Sequence, residues 1–424
     1  MPNVISSFKW KGVRSLLLLT LPFLLSIPSS AQTTQSLSDN IRTIQLKVNG
    51  QWGKPPVLDM GGGYVDISFD DLQRRYVRYT YRITHCKANW ETSDLYYGDY
   101  MTGQNGTTII KQYTPSRNTM TQYNHYELRL PNSEHRLLLS GNYKVEIVRA
   151  SDDEVVAVVC FSLCTNEVNI GATISANTDV DTYDSHQQMD LEINYQHLDT
   201  RSAELELTPV VMQNRRWDTR VTGIKPSYVQ VNKLIYTHHR HLIFPAANEY
   251  RRFEILDPHV ATKGVERMRF DNQFYHAFIY TDEQRRNYKY DEDQNGRYLI
   301  RNDDNEANDT ESDYFITHFA LKIPELTGGK LYINGDMTEG QFTDDYMLDY
   351  NASEGQYEIA LSLKQGSYNY QYLFLPSGTD YGLTSPTEGD FHQTENEYQI
   401  YVYQHPVGSR YDKLVGFKTI VYKE

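Results

Sequence analysis

Cysteine and tryptophan are scarce in this chain, with three and four among 424 residues. Three cysteines in so long a chain exclude a disulfide-built scaffold, and an odd count leaves at least one outside any pair. Cys160 and Cys164 fall four apart on what reads as one strand. At about 3.3 Å per residue they stand roughly 13 Å apart, too far to bridge. A Cys86–Cys160 pair is left open. After Ile27 no apolar run is long enough to span a bilayer as a helix. Positive charge is short too: the formal net charge is −14, which excludes gripping a phosphate backbone by counterion release. There is no G-x-S-x-G elbow, no H-E-x-x-H and no Walker loop. Paired carboxylates leave no spacing to check, so nothing in the pattern argues for an enzyme, and no catalytic, cofactor-binding or metal-binding residue is assigned.

The N-terminus is informative. Lys9, Lys11 and Arg14 precede an apolar run over 15–27, and Ser29, Ser30 and Ala31 follow as small residues. This order predicts a secretory signal peptide over residues 1–31, with Gln32 starting the mature chain. The run is short for a membrane span and contains Pro22, and no cysteine stands at the cleavage point to carry a lipid. The expectation is a protein outside the cytoplasm, with no membrane anchor of its own. Removing Lys9, Lys11 and Arg14 takes the charge to −17.

Period-two alternation recurs throughout what remains. Val77, Tyr79, Tyr81 and Ile83 share one face, and Phe315, Thr317, Phe319, Leu321 and Ile323 share another. Leu205 and Leu207, alternating with Glu204, Glu206 and Thr208, predict a further strand. The continuous apolar stretch 155–163 suits a strand buried on both faces, paired with 143–149 across a turn at Ser151-Asp152-Asp153. The 35 tyrosines fit pleated, half-buried surfaces and also fit contact surfaces. No segment carries a convincing helical period. The reading is all-β, with tandem immunoglobulin-like β-sandwich domains over 32–165, 166–313 and 314–424. Residues 290–313, crowded with Asp, Glu and Asn, read as an exposed acidic loop or linker. Segments 330–334, 357–363 and 368–375 read as a compact meander, with turns at Asn334-Gly335 and Gln365-Gly366.

Three clusters resemble ligand sites in spacing alone. Asp291-x-Asp293-x-Asn295-Gly296 opens like a calcium loop, but its twelfth position is Asn302 where the motif needs Glu. His239 and His241 fall on one face of an expected strand without a clear third ligand. Gly61-Gly62-Gly63 precedes the expected strand 64–69 and not a helix, so it reads as a flexible loop and not a phosphate cradle. Trp90, just after an alternating strand, reads as core.

Several motifs agree in order with one family. His85-Cys86 with Trp90 and Ser93 is followed by Tyr113, Ser116, Asn118-Thr119, His125-Tyr126 and Ser140-Gly141-Asn142-Tyr143. Asn248-Glu249-Tyr250-Arg251 with Phe253 comes next. Then follow Thr394-Glu395-Asn396 with Tyr398, Val402 and Tyr403, and Arg410-Tyr411-Asp412 with Leu414 and Gly416. In these the chain resembles the plug proteins of the type IX secretion system of Bacteroidetes. The resemblance implies a non-catalytic periplasmic protein that closes the periplasmic opening of a large outer-membrane translocon barrel. It implies that barrel as partner, no cofactor, and association with the outer membrane through the partner. It does not assign contact residues. Gly355-x-Tyr357, Leu363, Gly366-x-Tyr368-x-Tyr370 and Phe374 are similar to starch- and glycogen-binding immunoglobulin-like modules. That likeness carries the alternative of a secreted carbohydrate-binding protein of a polysaccharide-uptake system.

Overall fold

Residues 34–271 and 273–423 are described by a computed structural model; the expected leader and its exit at Ala31–Gln32 lie outside them. Regular structure among the described residues is almost entirely strand, and the few helices are single turns such as Tyr97–Tyr100 and Asn308–Glu311. Five sheets enclose three principal cores.

The first core lies between the sheet Ile41–Val48, Val65–Asp71, Asn124–Leu130, Gln112–Pro115 and the strands Tyr79–Cys86, Gly141–Arg149 and Glu154–Cys164. Alternation dictates the faces: Tyr79, Tyr81 and Ile83 point inward with at most 1% exposure. The apolar stretch forms Glu154–Cys164, paired antiparallel with Gly141–Arg149 across the predicted turn. Its residues from Val159 to Cys164 are buried on both faces, because the same sheet carries a core on each side.

That sheet continues past Cys164. Lys413–Val421 touches Glu154–Cys164 in parallel, Glu397–Gln404 pairs with Lys413–Val421, and Leu207–Gln213 pairs with Glu397–Gln404. This second half of the sheet covers the second core, opposite Asn169–Ser175, His186–Asn194, Lys233–Tyr236 and Ile243–Pro245. The third core draws on residues 253–372 only, between Arg251–Ile255, Tyr298–Ile300, Gly329–Asn334, Gly366–Pro376 and the sheet centred on Tyr314–Lys322. The second core is therefore discontinuous in sequence, and the whole third core is inserted within it. The seam at residues 313 and 314 runs through hydrogen-bonded sheets, since Arg251–Ile255 and Tyr298–Ile300 both pair with Gly366–Pro376.

Four expectations are corrected. Ala203–Glu206 is a helical turn, and the strand starts only at Leu207, leaving Leu205 82% exposed. Acidic 290–313 is no solvated linker. It contributes the strand Tyr298–Ile300 and buries Arg297, Asn302, Ser312 and Asp313, with Arg297 paired to Glu397, the Asp313 N–H bonded to Gln365 and the Ser312 carbonyl bonded to Tyr123. The meander is split: Gln356–Lys364 and Gly366–Pro376 belong to different sheets, and Gln365-Gly366 carries the chain from one to the other. Gly366 lies against the Leu299 carbonyl, so no side chain fits there. Finally, Arg240–Leu242 is a 3-10 turn and not a strand, so His239 and His241 meet at a ring separation of 5.5 Å through a local turn. The three cysteines are buried and form no disulfide.

Most of the tyrosines serve as core. Tyr79, Tyr126, Tyr143, Tyr368, Tyr372, Tyr398 and Tyr403 are under 3% exposed. Each hydroxyl reaches an internal acceptor, such as Asp71 for Tyr79 and Asn142 for Tyr403. A phenol buries a large ring while its oxygen stays hydrogen-bonded.

Candidate site: three joints around a basic, aromatic cleft

Several of the residues that carry the family resemblance meet in three joints between the cores, while others, such as Tyr126, Phe253 and Val402, pack inside them. At the first, His85 Nε2–H donates to the Ser140 carbonyl at 3.0 Å, which leaves Nδ1 to accept from Ser93 Oγ at 2.8 Å. Burial pushes the imidazole below its ordinary range, so it is neutral. The Tyr411 ring stands edge-on to His85, and Asp412 accepts the Ala88 N–H at 2.7 Å. Asn142 Oδ1 accepts from Ser162 and from Tyr403, while its amide donates to Lys87 O. The first core is thereby fastened to the C-terminal hairpin.

At the second joint, Asn248 donates to Glu388 O, and Glu249 accepts from Glu395 N–H and Tyr288 OH. Arg251 forms ion pairs with Glu388 at 3.0 Å and Asp282 at 2.6 Å, all three half-buried or deeper. Asn396 donates to Gln187 and to Ala246 O, and Thr394 donates to Ala247 O. This ties the second core to the third.

The third joint centres on Asp70, which is fully buried. It accepts from His125 at 2.7 Å, Tyr314 OH at 2.7 Å and Lys364 Nζ at 2.6 Å. Burial alone would push its carboxyl up, but the Lys364 ammonium and His125 more than reverse this and hold it below the ordinary range. Nearby, Asp313 receives the N–H groups of Met120 and Thr121, and Tyr123 OH donates to Ser312 O. Asn118 takes the left-handed backbone this turn requires, with φ 59°. The first and third cores are thus locked by groups about 190 residues or more apart in sequence.

Between the joints opens a cleft of 540 Å³, within the range of ligand pockets. Trp52 and Trp217 line it, with Phe342 and Tyr401. Trp90, 1% exposed, stands edge-on behind Trp217 at 5.9 Å, in a small apolar cluster with Cys86 and Cys160. All three tryptophans of the described residues therefore meet here. Lys47, Lys54, Arg215, Arg216, Arg220 and Arg297 also line the cleft, against Asp218, Asp336, Glu339 and Asp380. Some of these cations are spent: Arg297 on Glu397 at 2.8 Å, Arg216 on Asp218, and one Arg215 nitrogen on Asp336 at 2.5 Å. Lys54 and Arg220 have no ion pair among the described residues, and Arg215 Nε is buried without a hydrogen-bond partner. Glu339 accepts the Ser36 N–H at 2.8 Å, and burial lifts its carboxyl to about 7. The lining is dominated by cations, carboxylates and aromatic rings.

Sequence alone did not single out this cleft. The available signal was Arg215-Arg216-Trp217 with Arg220, and Trp52 with Lys54, basic and aromatic together in an acidic chain. The clusters that spacing did flag are occupied with structure. Asp291 pairs with Arg252 and Lys263, and Asp293 receives the N–H groups of Tyr250 and Asn295. Val65–Asp71 follows the Gly61-Gly62-Gly63 loop as a strand.

An all-β body of three fused sandwiches, with no helix among the described residues long and apolar enough to cross a membrane, is the class the fold defines. Residues 41–165 match the family model for the type 9 secretion system plug protein first domain. A crystal structure of a hypothetical protein from Parabacteroides merdae is 41% identical, with a TM-score of 0.91, over 93% of this chain and all of that one. The chain belongs to the type 9 secretion system plug family, and its role is related to that secretion system. A C-terminal domain of the AgI/II polypeptide BspA from Streptococcus agalactiae aligns over 90% of this chain and all of its own at 8% identity. Its TM-score of 0.16 carries no argument. No curated protein matches the chain.

Proposed function

We propose that this protein closes the periplasmic opening of the type IX outer-membrane translocon barrel without catalysing a reaction, and that it does so from the periplasm, held there by the barrel. Membership of the plug family carries this reading. The three joints support it, since a stopper must resist deformation and buried hydrogen-bond and ion-pair networks rigidify a body. The strand aromatics that carried the likeness to starch-binding modules speak for closure over sugar binding. Tyr357, Tyr368 and Tyr370 are at most 6% exposed and face the third core, so they cannot stack on a saccharide.

The test is a deletion strain. Without the protein, cells should admit a large hydrophilic antibiotic that wild type excludes, while the barrel is still made. The tagged protein should recover the idle barrel from solubilised envelopes. Unchanged uptake together with a pull-down free of the barrel would end this reading.

A further inference from the structure

We infer that the loop 72–78, with the end strand Gln112–Pro115 beside it, docks an acidic segment of a partner protein through three unpaired arginines and two exposed tyrosine rings. This goes beyond closure of the barrel and does not depend on it.

The loop joins Val65–Asp71 to Tyr79–Cys86, and its backbone is fastened. The Gln73 N–H donates to Asp71 at 2.9 Å. The Gln73 and Arg75 carbonyls each accept from Asn124 Nδ2 at 3.2 Å. The Tyr126 hydroxyl takes both polar groups of Val77, accepting its N–H at 3.2 Å and donating to its carbonyl at 2.8 Å. The Arg78 carbonyl accepts the Ala150 N–H at 2.9 Å. The side chains are the reverse. Arg74, Arg75 and Arg78 are exposed, and none makes an ion pair or side-chain hydrogen bond with a described residue. Neighbouring cations are spent, Arg82 on Asp153 and Glu146, and Arg149 on Asp152 and Glu154. In a chain of net charge −14, three guanidiniums therefore stand unpaired on a held backbone. A backbone ordered at folding costs nothing to order again on binding. Each guanidinium offers a planar fork that matches a carboxylate.

The rings are held too. Tyr76 and Tyr113 are 51% and 40% exposed, with ring centres 4.8 Å apart. Tyr113 stacks on buried Tyr126 at 5.7 Å, and Tyr126 stacks on buried Phe69 at 5.2 Å. The exposed pair is thus the outer end of a column of rings rooted in the first core. Tyrosine and arginine are among the side chains that carry most of the energy of protein contacts.

Placement selects the partner. A membrane or a nucleic acid is an extended anion. It would also meet the exposed turn carrying Asp152, Asp153 and Glu154, which the Arg78–Ala150 bond sets beside the loop. A short acidic segment meets the arginines alone. Recognition is by side chains and not by strand addition. Gln112–Pro115 is the end strand of its sheet, but it has only four residues and ends in Pro115, which has no N–H to offer.

The probe is a fluorescein-labelled pentapeptide, one tyrosine with two glutamates on each side, titrated with the purified protein by fluorescence anisotropy. Saturable binding that weakens with added salt is expected. The same peptide with lysine for glutamate should not bind. Arg74→Gln/Arg75→Gln/Arg78→Gln should bind about tenfold or more weakly, and Tyr76→Ser severalfold more weakly. Lys225→Gln/Arg286→Gln/Lys322→Gln removes as much charge from exposed positions elsewhere and should bind like wild type. Unchanged melting temperatures would show that all three variants are folded. No binding, equal binding of the lysine peptide, or an equal loss in the second triple variant would overturn the inference. Arginine-dependent capture on phosphatidylglycerol vesicles, with no peptide binding, would overturn it in favour of a membrane surface. The deletion-strain experiment is independent of all these outcomes.

Discussion

Lys364 Nζ stands 2.6 Å from Asp70 Oδ2, and both side chains are at most 1% exposed, although 294 residues separate them. One belongs to the third core's sheets and the other to the first. A buried ion pair gives modest net stability, because desolvation opposes the Coulombic gain, but removing one partner strands a charge. The Lys364 Nζ also donates to Asp309 O at 2.7 Å and lies 4.1 Å from the centre of the Tyr123 ring, so its ammonium is well solvated by protein.

Lys364→Met should therefore cost about 3–5 kcal/mol in urea denaturation, with Asp70 left unneutralised. The double variant Asp70→Asn/Lys364→Met should recover part of that loss, because the stranded charge is gone. A single variant as stable as wild type would show that the pair is not what joins the two cores.

Two buried carboxyls should draw stability down as pH rises from about 5 to about 7. Glu339 and Asp293 each have a carboxyl that burial lifts to about 7 in the folded chain. Unfolded, they titrate near the ordinary carboxylate value, about 4. Between those values the folded state holds protons that the unfolded state has lost, so raising the pH favours unfolding. Depressed carboxyls, such as Asp181 at about 2, act in the opposite sense, but only at lower pH. Imidazoles lowered by burial, such as His85 and His318, act in the opposite sense over the same range, so the check is the difference between variant and wild type: from pH 5.5 to pH 7.5 the melting temperature of Glu339→Gln should fall less, or rise more, than that of wild type. Identical slopes for variant and wild type would remove Glu339 from the account.

Gly141→Ala should destabilise sharply. Its φ of 134° lies where side chains are strained, and an added Cβ would stand 2.5 Å from His85 Nε2 and 2.8 Å from the Asp412 carbonyl. The backbone strain alone is worth about 1–3 kcal/mol, and the clash opens the joint between the first core and the C-terminal hairpin. The expected readout is a lowered denaturation midpoint, with earlier proteolysis near Arg410. Wild-type stability would mean that the hairpin can shift freely.

Alternation fixed what could be read locally. Tyr79, Tyr81 and Ile83 had to share a face, the apolar run pointed to two-faced burial that holds from Val159 onward, and a chain with no helical period pointed to all-β, because side-chain direction in a strand depends only on position parity. Ordered motifs from His85 to Gly416 identified the family. Alternation failed at Leu205, where five residues of pattern are too few to distinguish a strand from a helical turn. Acidic composition misled at 290–313, because charge density says nothing of partners such as Glu397 for Arg297 or Gln365 for Asp313 that arrive from far along the chain. Only the tertiary structure decided that the third core is inserted into the second, that His85, Asn142, Asn248, Arg251 and Asn396 sit at joints between cores, and that Trp52, Trp90 and Trp217 gather near one cleft. Those relationships are set by pairing between distant strands, and the energy that selects such pairings comes from burial and hydrogen bonding that no local stretch of sequence contains.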